Sequence, residues 1–115
     1  MRRTILSGVV LSGVDLSGVI LSESELIGTN LSRAKLYRAD LSGADLGGAN
    51  LSVADLRRAN LCGTNLWGAK LNGANLSDAY LYEANLTEAD LTDAKWDERT
   101  VWPEGFTPPE KEGEG

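Results

Sequence analysis

Few side chains in this sequence are of the types that carry out covalent or acid–base chemistry. The 115 residues contain no histidine, which excludes histidine triads, histidine–zinc sites and acid–base catalysis by imidazole. Cys62 is the single cysteine, so the chain forms no internal disulfide and no cysteine-ligated zinc cluster. No histidine is present to activate its thiol, and we interpret it as a reduced cysteine of a cytoplasmic protein.

Charge narrows the function classes further. The chain has 17 acidic and 11 basic residues, a net charge of −6, whereas a general nucleic-acid binder would be basic. Carboxylate catalysis needs a group with a shifted pKa in a cleft, and a regular chain without insertions offers none. No stretch is long and apolar enough to cross a membrane. We therefore predict a non-enzyme without catalytic residues, cofactor, metal, nucleic-acid partner or membrane contact.

The apolar residues follow a five-residue repeat. All 18 leucines lie on one lattice, at every fifth position from Leu6 to Leu91, and Trp96 and Val101 are predicted to continue it. Two positions before each lattice residue is a second column, in which 12 of 19 members are alanine and the rest valine, threonine or serine. One large and one small residue therefore recur in every unit, with polar residues between them.

Neither an α-helix nor a flat strand uses this period. On a helix, successive leucines would lie about 140° apart, and in a strand they would alternate between faces. A chain that turns the same way once per unit directs every leucine to a common axis, and its coils stack about 4.8 Å apart. Nine glycines stand two positions after a lattice residue and fit tight corners: Gly8, Gly13, Gly18, Gly28, Gly43, Gly48, Gly63, Gly68 and Gly73. The Asn or Asp before many leucines should face outward and bond the turn amides.

Units such as Ala39–Gly43 (ADLSG), Ala44–Gly48 (ADLGG) and Ala49–Val53 (ANLSV) resemble the pentapeptide-repeat family, whose motif is A(D/N)LXX. The resemblance covers residues 4–96 without a break. It implies an all-β fold, a right-handed parallel quadrilateral β-helix of about 4.5 coils. The predicted core members include Leu31, Leu51, Leu71, Leu91 and Trp96. Residues 20 positions apart should stack, placing Lys35 under Asp55 and Arg58 under Asp78.

The repeat divides the chain into three predicted parts. Residues 1–96 form the β-helix, residues 97–106 form a C-terminal cap, and residues 107–115, rich in Pro, Glu and Gly, form a disordered tail. The run Trp-Pro-Glu-Gly-Phe at 102–106 resembles the endings of cyanobacterial members of the family. Trp96, Trp102 and Phe106 are predicted to plug the last leucine layer.

The N-terminal end is predicted to be bare, because too few residues precede the first coil to build a cap. Ile5, Val10 and Ile20 are apolar in the column before the leucine, which is polar almost throughout residues 25–95. Two interpretations remain open: β-branched residues strengthen a terminal coil, or the exposed end binds a partner. The second interpretation predicts a weak end-to-end homodimer through the N-terminal coil.

Two further surface groups are candidates for protein binding. Five basic residues should cluster on neighbouring sides, where they form either a site for an acidic partner or phosphate, or a mixed solvated face: Arg33, Lys35, Arg38, Arg57 and Arg58. Tyr80 and Tyr82 should point outward, with Cys62 one coil below Tyr82 and Trp102 one coil above it. They form an aromatic patch unless the tail covers them. Trp67 is a separate candidate on another side.

Two functions from different classes follow. The first is a non-catalytic scaffold that binds an unidentified protein partner in the cytoplasm. The second is a DNA-mimicking inhibitor of DNA gyrase, which the quinolone-resistance members of the family suggest, since residues 61–115 carry 11 acidic and 4 basic side chains. This chain departs from those members because it is short and lacks both phenylalanine-centred repeats and loop insertions. The scaffold is therefore the preferred interpretation.

Overall fold

The chain winds into a stack of four-sided coils that are joined by parallel backbone pairing. The computed structural model describes residues 4–109. Sixteen isolated parallel bridges connect the residue before each leucine to its equivalent in the next coil, from Ile5 with Glu25 to Tyr80 with Val101. Each strand is thus a single bridge residue between two turns, and residues 4–109 contain no helix. All bridges but the last join residues 20 positions apart, as four five-residue sides require.

A tight turn forms each corner of the coil. The backbone N–H of the small residue donates to the carbonyl of the preceding leucine, as between Ala44 and Leu41 at 3.0 Å. The second corner residue has a positive φ in all eighteen turns from Gly8 to Asp93, and nine of these residues are the predicted glycines. The other nine have side chains, among them Val53 at φ 60°, an unfavourable conformation for a β-branched residue. Its backbone N–H pairs with the Asn72 carbonyl at 2.9 Å, so the ladder holds it there.

The leucine and alanine columns form one continuous core along the axis. Leu31, Leu51 and Leu71 are buried, which confirms them as core residues, whereas Leu91 and Trp96 pack against the core while partly exposed. Burial of a leucine side chain contributes about 1.5–3 kcal/mol, and fourteen of the eighteen are buried. The core is therefore the main source of stability.

Asn and Asp side chains stabilise the corners from outside. The Asn30 Oδ1 accepts a hydrogen bond from the Ser32 N–H at 3.0 Å, and Asp45 receives one from the Gly47 N–H at 3.1 Å. Successive side chains also bond along the stack, as the Asn65 Nδ2 donates to the Asp45 Oδ1 at 2.9 Å. The prediction that this column bonds turn amides is confirmed.

The repeat gains one residue at the C-terminal end. Val101 pairs with Tyr80, 21 positions earlier, so it lies in the outward column, and the prediction that it continues the leucine lattice is wrong. The extra residue lies in the turn from Asp97 to Thr100, which is closed by a 3.0 Å bond between the Thr100 N–H and the Asp97 carbonyl. One place further on, Trp102 takes the leucine position and packs against the core.

Three aromatic rings then cover the last coil. Trp96 and Trp102 meet edge to face with ring centroids 5.7 Å apart, and Trp102 and Phe106 stack at 5.2 Å. All three pack against the core, as a plug requires. We call Trp96, Trp102 and Phe106 the aromatic cluster. Of the predicted disordered tail, residues 110–115 lie outside the described residues.

The first coil is far more open. Leu6, Leu11 and Leu16 are only partly buried, and Ile5 and Val10 are 71% and 69% exposed. In the second coil, the equivalent N–H groups donate downward, as between Glu25 and the Thr4 carbonyl at 2.8 Å. Within residues 4–109 no coil lies beneath the first one to receive such bonds.

Candidate interaction surface

Charged side chains are distributed unevenly around the rod. Residues 20 apart stack, so each side of the rod has a fixed set of columns. Seven of the eight basic residues within 4–109 lie on one side and at its two corners: Arg33, Lys35, Arg38, Arg57, Arg58, Lys95 and Arg99. The opposite side and its corners carry no basic residue in the described part of the chain, and their acidic residues include Glu23, Glu25, Asp45, Glu83 and Glu88.

Four residues at one corner of the basic side form what we call the arginine–tyrosine patch: Tyr37, Arg38, Arg57 and Arg58. The Tyr37 ring contacts two guanidinium groups, with the Cζ atoms of Arg38 and Arg57 at 5.5 and 5.1 Å from its centroid. Cation–π attraction stabilises both contacts. The Arg38 Nε also donates to the Tyr37 hydroxyl oxygen at 3.3 Å, and this hydrogen bond lowers the pKa of Tyr37.

Two carboxylates pair with the patch, Asp55 from the neighbouring column and Asp78 from the same column one coil further on. Arg57 makes two 2.8 Å hydrogen bonds to Asp55, through Nε and Nη2, and these bonds lower the pKa of that carboxyl. The Arg58 Nε lies 3.2 Å from Asp78, which confirms the predicted stacking of these two residues. Lys35 does stack under Asp55 as predicted, although the short ion pair of Asp55 is with Arg57.

The patch borders a shallow depression and keeps unpaired positive charge. The depression has a volume of about 410 Å³ and is lined by Arg38, Arg58, Asp78 and Tyr80. Within residues 4–109, neither Arg33 nor Arg38 has a carboxylate partner. The arginines are among the residues predicted from the sequence, but Tyr37 is not. Its position, 20 residues before Arg57 and next to Arg38, indicates that it lies beside both arginines.

The predicted aromatic candidates are exposed but do not form one cluster. Tyr80 and Tyr82 are 47% and 54% exposed, so the tail within the described residues leaves both accessible. Trp102 lies above Leu81, and the prediction that it lies above Tyr82 is wrong because of the extra residue at Asp97–Thr100. Trp67 is 53% exposed on the acidic side of the rod. Cys62 is half-buried with a free thiol.

The apolar residues of the first coil form a third exposed region. Ile20 is 51% exposed, alongside Ile5 and Val10, and all three face outward in the column before the leucine. In the described range, no group of Cys, Asp and Glu side chains could hold a metal ion. No helix of residues 4–109 has the length and hydrophobicity to span a membrane.

Comparison with known proteins agrees with this geometry. A family model described as Pentapeptide repeats matches eight copies, over residues 1–22, 15–52, 34–66 and 59–95. The chain belongs to the pentapeptide-repeat family. A comparison with curated proteins gave no significant match.

Solved structures of the family share this architecture. HetL, a pentapeptide repeat protein involved in heterocyst differentiation regulation in the cyanobacterium Nostoc sp. strain PCC 7120, is 34% identical over 92% of this chain, with a TM-score of 0.86. A pentapeptide repeat protein of the Arabidopsis thaliana thylakoid lumen is 31% identical over 77% of this chain, with a TM-score of 0.74. This chain spans 50% and 62% of their lengths. The predicted right-handed quadrilateral β-helix is thereby confirmed.

A weaker likeness concerns the gyrase hypothesis. QnrB1, a plasmid-mediated fluoroquinolone resistance protein, is 20% identical in its trypsin-treated form over 84% of this chain and 64% of that chain, with a TM-score of 0.41. At this level the similarity carries no argument about what the present family member binds.

Proposed function

We propose that this pentapeptide-repeat chain is a non-catalytic scaffold that binds a protein through its side surface. The observation that carries the proposal is the arginine–tyrosine patch. It places ordered guanidinium groups and an aromatic ring on the outer surface, where they do not take part in core packing. Inward positions build the fold, so outward positions vary freely in charge and shape, and arginine and tyrosine are residues enriched in protein interfaces. The exposed Trp67, Tyr80 and Tyr82 support the same function.

The distribution of charge favours the scaffold over the DNA-mimicking inhibitor. A duplex mimic needs acidic groups along the length of the rod, whereas the basic residues here gather on one side. Two of the acidic groups, on Asp55 and Asp78, are moreover engaged by arginine. The cytoplasmic location stays a prediction, since one relative belongs to the thylakoid lumen.

Affinity capture tests the proposal. The immobilised full chain is exposed to a lysate of the source organism, and a captured protein is purified and tested for direct binding by calorimetry. We expect a saturable interaction with a defined stoichiometry. A gyrase supercoiling assay with the chain at micromolar concentration runs in parallel and should show no inhibition. Dose-dependent inhibition without a captured protein partner would replace the scaffold with the inhibitor.

A further inference from the structure

We propose that the arginine–tyrosine patch is the docking surface for a short acidic segment of a partner protein. The inference rests on the proposed scaffold function and specifies both the surface and the chemistry of the partner. It follows from the local charge, the ordering of the guanidinium groups, and the acidic residues that border the patch.

The first argument is local charge. In the two coils formed by residues 21–60, the basic side and its corners carry five positive side chains and one negative side chain, Asp55. The chain as a whole has a net charge of −6, so this excess of four positive charges is a local reversal of sign. Asp55 is engaged by Arg57, while Arg33 and Arg38 have no carboxylate partner within residues 4–109. A carboxylate-rich segment supplies the missing counter-charge.

The second argument is the ordering of the guanidinium groups. Tyr37 contacts Arg38 and Arg57 through its ring and accepts a hydrogen bond from Arg38. Arginine side chains lose considerable rotamer entropy on binding, and a donor that is already held in place loses less. The planar guanidinium group binds a carboxylate through two parallel N–H···O bonds. Tyr37 thus orders the guanidinium groups for carboxylate binding and leaves their positive charge unneutralised.

The third argument limits the length of the ligand. Arg38 and Arg58 occupy one corner column in adjacent coils, about 4.8 Å apart, beside the depression that Tyr80 also lines. Further along the same side, the acidic residues Asp78, Asp93, Asp97 and Glu98 outnumber the basic residues Lys95 and Arg99. The positive surface therefore spans roughly 10 Å, which matches about three residues of an extended peptide. A long polyanion such as duplex DNA would extend over the carboxylates, which repel it.

The test uses a fluorescein-labelled tetrapeptide of alternating Asp and Glu, and an equally labelled control tetrapeptide of alternating Asn and Gln. Fluorescence anisotropy with the full chain should show binding of the acidic peptide only, with an affinity that falls as salt rises. Arg38→Ala should weaken binding about tenfold, the size expected for one hydrogen-bonded charge. Lys70→Ala is the matched control, because Lys70 is the one basic residue within 4–109 on another side. It should bind like wild type.

Tyr37→Leu separates ordering from charge, since it keeps every charged group while removing the ring. It should weaken binding of the acidic peptide several-fold. Arg38→Lys should give a loss of affinity between those of wild type and Arg38→Ala. Circular dichroism of each variant verifies the fold. Equal binding of the acidic peptide to wild type and to Arg38→Ala would overturn the proposal. The proposal would also be overturned if a 12-base-pair DNA duplex bound wild type as tightly as the acidic peptide does and did not bind Arg38→Ala.

The partner obtained by affinity capture distinguishes the failure of this inference from the failure of the scaffold function. If the captured protein binds Arg38→Ala and wild type equally, the docking surface is elsewhere and the scaffold proposal stands. If the chain captures no protein and inhibits gyrase, the scaffold proposal itself fails. If the captured protein loses affinity with Arg38→Ala and competes with the acidic peptide, both proposals are supported.

Discussion

The two ends of this rod are built from the same repeat but finish differently. At the C-terminal end, Trp96, Trp102 and Phe106 pack on one another and on the core, and of the last three leucines Leu81 and Leu86 are buried while Leu91 is partly exposed. At the N-terminal end, the leucines of the first coil are only partly buried, and the outward Ile5 is 71% exposed. The repeat alone does not bury its terminal layers.

The difference shows what each coil contributes. An internal leucine is buried by its own coil and by the coils above and below, whereas a terminal leucine lacks one neighbour. The aromatic cluster replaces that neighbour at one end of the described chain. We therefore expect the stability of the rod to be highest in the middle, intermediate at the cap and lowest in the first coil.

The largest effect should come from a charge on the axis. Leu51→Asp places a carboxylate without a partner among fully buried leucines, and we expect the chain to unfold, a loss above about 4 kcal/mol. Leu11→Asp is the matched variant in the first coil, where the partly exposed carboxylate can reach water. It should leave most of the fold intact, as judged by circular dichroism and thermal melting. A folded Leu51→Asp variant with an unchanged spectrum would refute the inward placement of Leu51.

The next largest effect should come from the aromatic cluster. Trp102→Ala removes contacts to both Trp96 and Phe106, and we expect a loss of about 2–4 kcal/mol in the free energy of unfolding. Ile5→Ala at the other end should cost less than about 0.5 kcal/mol, because the side chain is mostly exposed. Urea titrations of both variants measure the two values. Equal losses would mean that the two ends do not differ in stability.

Much of this architecture was predictable because its period is short and regular. A leucine at every fifth position is incompatible with a helix or a flat strand, so the inward columns followed from the period. The stacking of Arg58 under Asp78 also required the four-sided coil that the family resemblance implies. Nine glycines marked half of the corners in the same way. Repeats are read easily because each unit contacts mainly its neighbours.

The exceptions could not be read from the period. Trp96 and Val101 are five residues apart, and nothing in the sequence announces the wider turn that moves Val101 outward. In that turn the Asp97 carboxylate accepts a hydrogen bond from the Asp78 N–H at 3.0 Å, where other corners use a backbone carbonyl. The contacts of Tyr37 depend on side-chain direction at a corner, which columns alone do not specify.

Two buried threonines give a smaller and more local comparison. The Thr100 Oγ1 lies 2.9 Å from the Leu76 carbonyl at the cap, and the Thr29 Oγ1 donates to the Leu6 carbonyl at 2.9 Å in the first coils. Replacement of either threonine by valine keeps its shape and should cost about 1 kcal/mol. Hydrogen exchange should show Thr29→Val opening the first coil alone, and Thr100→Val loosening the cap alone. Uniformly faster exchange in both variants would indicate that the rod unfolds as one unit.

Acid should weaken the cap through Asp97. Burial raises the pKa of this carboxyl, but hydrogen bonds from the N–H groups of Asp78 and Arg99 and from the Thr100 hydroxyl outweigh it and lower the pKa overall. Because folding lowers this pKa, the ionised carboxylate stabilises the fold at pH values above the usual carboxyl pKa. This contribution is lost as the pH falls through the folded value.

Asp97→Asn should therefore be less stable than wild type at pH 7, and the difference should shrink toward pH 3. Asp15→Asn is the matched variant in the first coil. A hydrogen bond from the Ser17 N–H lowers the pKa of the Asp15 carboxyl, yet that side chain is exposed. Melting temperatures at both pH values should change less for Asp15→Asn. A difference for Asp97→Asn that does not depend on pH would contradict the role of its carboxylate.

The smallest effect concerns self-association through the first coil. Ile5, Val10 and Ile20 present exposed apolar area beside a rim of backbone groups, and we expect two copies of this 115-residue chain to meet end to end in a weak two-fold dimer. The contact is limited to the exposed face of one 20-residue coil, so we expect it to bury less than the roughly 800 Å² per partner of a stable interface. Sedimentation velocity should therefore show dimer only at high concentration. Val10→Lys with Ile20→Lys should abolish it, and Arg38→Ala on the side of the rod should not. If wild type and the double variant are both monomeric throughout, the β-branched residues only strengthen the terminal coil, and the two ends differ in stability but not in binding.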